Sequence, residues 1–202
     1  MGYLGNQITT VFPTSISVDS ATISGNTTVG GTLGVTGVST LSDNIVFGAS
    51  GKGVHLGVTS ATASNLLEDY EEGSFTATMS NSVTLDSNFQ TLHYTKIGRQ
   101  VHIHGNLRVL NSNGGSALVV NNLPFTSQNA TNAISTTTTL SLSNFNVPMV
   151  TSGTNDTVDF YGELGVNSTA LHFFQSRDNN NTIVLGGDND GFFTFGITYF
   201  TA

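Results

Sequence analysis

Two apolar rhythms divide the chain. In the first, Ile23, Val29, Val35, Leu41 and Phe47 recur every six positions, and Gly25, Gly31 and Gly37 follow three of them by two. The residues between are mostly Ser, Thr, Asn and Gly. A helix needs apolar residues near every 3.6 positions, and glycine at this density opposes one. An even period returns the same apolar residue to the same side of an extended chain. The glycines fit turns or close chain approach. The second rhythm starts at Ser74 and has the period of two expected of strands. Phe75-Thr76-Ala77-Thr78-Met79 alternates, and a run at 92–98 leads into another at 100–109. Asn111-Ser112-Asn113-Gly114-Gly115 reads as a turn, with 117–120 expected to pair back as a hairpin. Further strands are expected at 133–142, 147–150, 157–161, 171–175, 182–185 and 192–200. Thr136–Thr139 reads as a strand or its edge. No long helix is expected. This spacing suits an antiparallel β-sandwich of jelly-roll type.

Aromatic residues sharpen the division. Only Tyr3, Phe12 and Phe47 precede Leu67, whereas the other fifteen lie from Tyr70 onward. Aromatic side chains supply much of a core's buried area, so the second part is expected to build its own core. The first part cannot. One apolar side chain in six residues does not offset an ordering entropy of about 1–2 kcal/mol per residue. Several chains wound about a common axis would bury those residues against each other and pair their exposed edges. Three chains is the natural number for a thin shaft, with a flexible linker as the plainer alternative. The looser 48–64 stretch reads as a transition. The expected architecture is all-β, with an anchoring segment at 1–20 and a trimeric β-shaft at 21–48. A collar at 49–73 and a β-sandwich knob at 74–202 complete it. Ile23, Val29, Val35, Leu41 and Phe47 are the expected trimer-axis residues.

Composition then removes whole classes of function. The 202 residues include five Lys+Arg and thirteen Asp+Glu, a formal charge of −8, and only 9% are charged. Ordinary globular chains carry about 25% charged residues. Five scattered basic residues cannot neutralise a nucleic-acid backbone, so no nucleic-acid partner is expected. The acidic balance disfavours anionic membranes, and no apolar run nears the roughly 20 residues that span a bilayer. The first residues show no basic n-region and no apolar h-region, so no signal peptide is expected. With no Cys in the chain, disulfides, thiolate nucleophiles and Cys-ligated zinc are excluded. Gly, Ser, Thr and Asn make up nearly half of the residues. The recurring Val, Ile, Leu and Phe argue for turn-rich β-structure over disorder.

Several stretches resemble a segment found in bacteriophage tail-fibre and virion proteins. They are Gly51-Lys52-Gly53-Val54, Leu66-Leu67-Glu68-Asp69-Tyr70-Glu71-Glu72-Gly73-Ser74-Phe75-Thr76 and Tyr94-Thr95-Lys96-Ile97-Gly98-Arg99-Gln100-Val101. Leu123-Pro124-Phe125 and Gly196-Ile197-Thr198-Tyr199-Phe200 are similar to that group as well. The opening Met1-Gly2-Tyr3-Leu4-Gly5-Asn6 resembles the start of fibre proteins from phages of marine and freshwater bacteria, including cyanophages. The hexad resembles their shafts. Members usually carry Trp where this chain has Phe75. The resemblance implies a homotrimer whose N-terminus, through Tyr3, Leu4 and Asn6, docks on a tail adaptor, baseplate or tail-tube protein. It implies a knob that meets a host surface glycan or outer-membrane receptor. At this length a short tail fibre fits better than a long one. A capsid fibre or decoration protein is the first alternative and a glycan-depolymerase spike the second.

The candidate chemistry is sparse, and no cofactor is expected. His102-x-His104 places two imidazoles on one face of a strand. Three such strands about an axis would offer six ring nitrogens to Fe, Ni or Zn. The plainer reading puts both on a polar face, opposite Val101, Ile103, Leu107 and Val109. The stretches Gly186-Gly187-Asp188-Asn189-Asp190-Gly191 and Asp178-Asn179-Asn180-Asn181 are rich in the oxygens that Ca²⁺ prefers. Turn chemistry explains them without an ion. The acids in Glu68-Asp69-Tyr70-Glu71-Glu72 read as a solvated collar sooner than as a hydrolase pair. No nucleophile elbow or Ser/His/Asp grouping is found, and His55, His93 and His172 read as isolated. The chain is therefore expected not to be an enzyme. Receptor contact is expected from polar loop tips, with Asn111, Asn113, Asn129, Asn155, Asp178, Asn180, Asp188 and Asp190 as candidates.

Overall fold

The computed structural model describes residues 19–80, 82–111, 118–129, 139–146, 158–177, 183–184 and 191–201. The chain divides into two compact units, Met1–Val46 and Phe47–Ala202.

In the first unit every described residue is exposed and none lies in a strand. Ile23, Val29, Val35 and Leu41 are between 49% and 63% exposed. A Cβ added at Gly25, Gly31 or Gly37 would meet nothing within 4 Å. Within one copy these repeat residues stay exposed and these glycines uncrowded.

The second unit is all-β, and its described residues include no α-helix. It begins with a small ladder. Strand β1 (Val54–His55) pairs antiparallel with β2 (Leu66–Leu67), a 3₁₀ turn at Ala63–Asn65 lying between them. Gly53 lies against the Leu67 carbonyl so closely that a side chain there would collide with backbone. The remaining strands are β3 (Tyr70–Thr76), β4 (Thr78–Met79), β5 (Thr84–Leu85), β6 (Thr91–Ile97), β7 (Gln100–Asn111), β8 (Val119–Asn121) and β9 (Thr139–Asn146). They continue as β10 (Val158–Leu164), β11 (Leu171–Arg177), β12 (Ile183–Val184) and β13 (Gly191–Phe200). The larger sheet runs β3-β6-β7-β13-β9, with β5 beside β7. The smaller runs β10-β11-β8-β4, with β12 beside β11. All pairings are antiparallel.

One core joins the two sheets. From the larger sheet it takes Leu92, Val101, Ile103, Leu107, Val109, Phe193, Phe195, Ile197 and Tyr199. Leu164, Leu171, Phe173 and Val120 come from the smaller one. Phe173 meets Phe193 and Phe195 edge-on at ring separations of 5.3 and 5.4 Å, an arrangement favoured by the ring quadrupoles. Alternation explains why: Val101, Ile103, Leu107 and Val109 are all fully buried, while His102 and His104 stand on the other face. Phe75, where the resembling proteins carry Trp, is half-buried and packs against this core.

Two expected pairings differ. The alternating stretch from Phe75 to Met79 is two strands, because the chain changes sheets at buried Ala77, whose N–H donates to the Gln90 carbonyl at 2.8 Å. The stretch at 117–120 does not fold back on β7 as a hairpin. β7 is flanked by β6 and β13, with β5 at its far end, so β8 lies between β11 and β4 in the other sheet. Strands expected at 147–150 lie outside the described residues. Those at 157–161, 171–175, 182–185 and 192–200 match β10 to β13 with shifted ends.

Candidate functional site

The hairpin between β6 and β7 sets the register of the site. Ile97 pairs with Gln100, so only Gly98 and Arg99 form the turn. Gly98 supplies the positive φ, +56°, at the first turn position, as two-residue hairpins require. This register places His93 directly opposite His104. The two rings stack with centroids 5.9 Å apart, and His102 stacks on His104 at 5.8 Å. His102 Nδ1 lies 3.0 Å from Thr198 Oγ1 of β13. His93 is therefore not isolated, contrary to the sequence reading; cross-strand pairing makes it the third member of a histidine ladder. His172 likewise stacks on Phe174, at 6.2 Å.

These imidazoles belong to the outer face of the larger sheet. Successive rows of that face follow from the pairing. Tyr70, Ile97, Gln100 and Phe200 form one, and Glu72, Thr95, His102 and Thr198 the next. Ser74, His93, His104 and Gly196 form a third. A depression of about 480 Å³ opens there, lined by Glu72, Gly73, Ser74, His93, Tyr94, Thr95 and His104. Tyr70 donates its hydroxyl proton to Glu72 Oε2 at 2.9 Å, and this hydrogen bond is the main reason its phenol stays above the ordinary range.

The acids of the collar separate by alternation along β3. Glu71 turns to the opposite side from Glu72 and accepts the Tyr94 hydroxyl proton at 2.5 Å, which raises the Tyr94 phenol. Asp69 forms an ion pair with Lys96, whose ammonium is buried and lies 5.4 Å from the centre of the Phe125 ring. A buried ammonium needs such a partner. Asp69 also accepts the Gly98 N–H through its carbonyl, at 2.7 Å. The cluster thus fastens the start of β3 to the β6–β7 hairpin. Arg99 continues the fastening, donating to the Thr201 carbonyl at 3.0 Å and to Gln128 at 2.8 Å.

Among the described residues no group of three or more His, Asp or Glu side chains is placed to hold a metal ion. His102 and His104 are exposed on β7. Of the loop candidates, Asn111 ends β7 and is exposed, and Asn129 is exposed beyond the Ser127–Thr201 bridge. Asn113, Asn155, Asp178, Asn180, Asp188 and Asp190 lie outside the described residues, as do the anchor candidates Tyr3, Leu4 and Asn6. Of the axis candidates, Phe47 falls in the second unit and is exposed like the other four. Tyr70, Ile97 and Phe200 were not among the expected site residues, and His93 was expected to be isolated. Gly98 between two alternating runs was the signal that would have aligned them.

No family model matches the chain, and no curated protein matches it. Among solved structures, the crystal structure of the Dettilon tailspike protein is similar at 20% sequence identity and a TM-score of 0.49. The match covers 65% of this chain and 24% of the tailspike.

Proposed function

We propose that the chain is the subunit of a trimeric phage fibre, most simply a short tail fibre. Residues 21–48 form the shaft and the sandwich forms the knob. One observation carries this reading: the six-residue repeat is regular, yet each of its apolar residues is exposed in a single copy. Regular apolar placement without an internal partner points to other copies of the same segment. The glycines agree, since nothing within one chain excludes a side chain at Gly25, Gly31 or Gly37. The resemblance of the collar and the β6–β7 hairpin to phage fibre proteins supplies the setting, with the N-terminus docked on the virion. In this reading the work is adhesive rather than catalytic. Three knobs on one shaft turn three weak contacts with a host surface into one strong one by raising effective concentration. A surface glycan or outer-membrane protein is the proposed receptor.

Light scattering on the purified full chain, and on the chain lacking residues 21–64, tests the reading. The expected result is a mass of three chains for the first and of one chain for the second. A monodisperse monomer for the full chain would overturn it and make the repeat a linker.

A further inference from the structure

The outer face of the larger sheet is built differently from an ordinary solvated face. Alternation assigns it to water, yet its first row carries Tyr70, Ile97 and Phe200, each about half or more exposed, on either side of Gln100. These residues come from four adjacent strands and form one continuous strip. The rows beside it hold Thr95, Thr198, Gly196 and the three stacked histidines. Lys and Arg are absent from these rows. Their one carboxylate, Glu72, accepts the Tyr70 hydroxyl proton, while alternation turns neighbouring Glu71 to the other side.

We propose that this face is where the knobs of neighbouring copies of the chain meet. The inference rests on the trimeric reading above and adds to it the surface through which the knobs touch. Charge identifies the occupant. A chain with a net charge of −8 repels its own copies wherever carboxylates face each other. This strip withholds that charge, so copies approach here without placing like charges in a desolvated contact. An acidic partner would instead call for a cationic face, and the rows offer none. Exposed apolar residues bordered by polar ones are the composition of an interface core and its rim. Position agrees. Tyr70 opens β3, the strand in which the collar segment passes into the larger sheet, so the strip lies where the sandwich begins in sequence. The depression next to it, about 480 Å³, gives a neighbour's side chain somewhere to seat.

Because the chain has no cysteine, single thiols report accessibility cleanly. Ile97→Cys and, as a control in the exposed loop between β10 and β11, Thr169→Cys are made in the full chain. Each is labelled natively with a maleimide-bearing polyethylene glycol, and the mass of each variant is checked by light scattering. Ile97→Cys is expected to label at least tenfold more slowly than Thr169→Cys while both remain trimers, and the rates should converge in denaturant. Equal native rates in a protein of three-chain mass would overturn this interface and leave the trimer standing. A monomeric wild-type chain would overturn the trimeric reading and this inference with it. Loss of three-chain mass in Ile97→Cys alone would support the contact by another route.

Discussion

The two units of this chain use the same residue types in opposite ways. In the sandwich, apolar residues spaced by two meet a second sheet of the same chain, and Val101, Ile103, Leu107 and Val109 lose all exposure. Among the described residues of the first unit, apolar residues spaced by six stay exposed, Ile23 at 63% and Leu41 at 62%. Period alone does not account for this, since both periods are even and both suit extended chain. Density does. β13 alternates buried and half-buried residues over nine positions, four of them aromatic, enough to close a core with β7 and β11. Residues 23–47 offer one repeating apolar position in six, too little for a core and, in the proposed trimer, the material of a seam between copies. In the function proposed above, the difference is one of address: the dense pattern is directed at the same chain and the sparse one at other copies.

The strongest way to break this comparison is to charge the seam. Val29→Asp with Val35→Asp places six carboxylates at the axis of a three-chain shaft, and desolvating unpaired charge is prohibitive. Assembly should be abolished, read as a fall to one-chain mass, while near-ultraviolet circular dichroism of the sandwich stays unchanged. An intact trimer in this double variant would mean that the repeat is not addressed to other copies. The reciprocal change sits in the sandwich. Phe173→Ala removes the ring that packs edge-on against both Phe193 and Phe195 and should cost about 3–5 kcal/mol, as large-to-small core substitutions do. Denaturant unfolding measures it. A loss below about 1 kcal/mol would show that the two sheets do not share this core.

How far the sequence showed these things depends on whether the determining partner is near in the chain. The inward face of β7 was legible because alternation is local, and so was its length to within two residues. The failed hairpin at 117–120 was not, because pairing depends on which edges are already taken, and β13 arrives some eighty residues later to occupy one. The site divided the same way. His102 and His104 were visible as neighbours in sequence, whereas His93 joined them only through the register fixed at Gly98. The apolar strip of Tyr70, Ile97 and Phe200 was invisible for the same reason, each residue looking like an unremarkable strand end.

Smaller effects sharpen the comparison at the junction between collar and sandwich. Asp69→Asn leaves the Lys96 ammonium without its carboxylate in a position that is 8% exposed. Fully buried pairs lose about 3–5 kcal/mol on such a change. Asp69 is itself half exposed and partly screened, so a loss of roughly 1–2 kcal/mol is expected here. Lys96→Met in the same background should recover most of it, because it removes the unpaired buried charge and gives up only the ammonium's contact with the Phe125 ring. Failure of that rescue, by urea midpoints at constant slope, would locate the loss in the collar backbone instead.

The finest test concerns Tyr199, which closes the core beside Phe125. Its ring is 1% exposed and its hydroxyl donates to the Phe125 carbonyl at 2.9 Å. Burial disfavours the phenolate and lifts the group well above its ordinary value of 10.0, against a smaller opposite effect of the hydrogen bond. The sign follows from linkage. The folded state holds the proton more tightly than the unfolded chain, so the contribution is complete below the unfolded value and is lost as pH rises beyond it. Stability should therefore be flat in this respect up to about pH 10 and fall above it. Tyr199→Phe should cost about 1 kcal/mol at neutral pH for the missing hydrogen bond, yet show a shallower alkaline decline than the parent chain. Denaturant midpoints between neutral pH and the alkaline limb read both effects in one series. Parallel declines in the two proteins would place the alkaline sensitivity elsewhere, with Tyr70 and Tyr94 on their carboxylates as the next groups to replace.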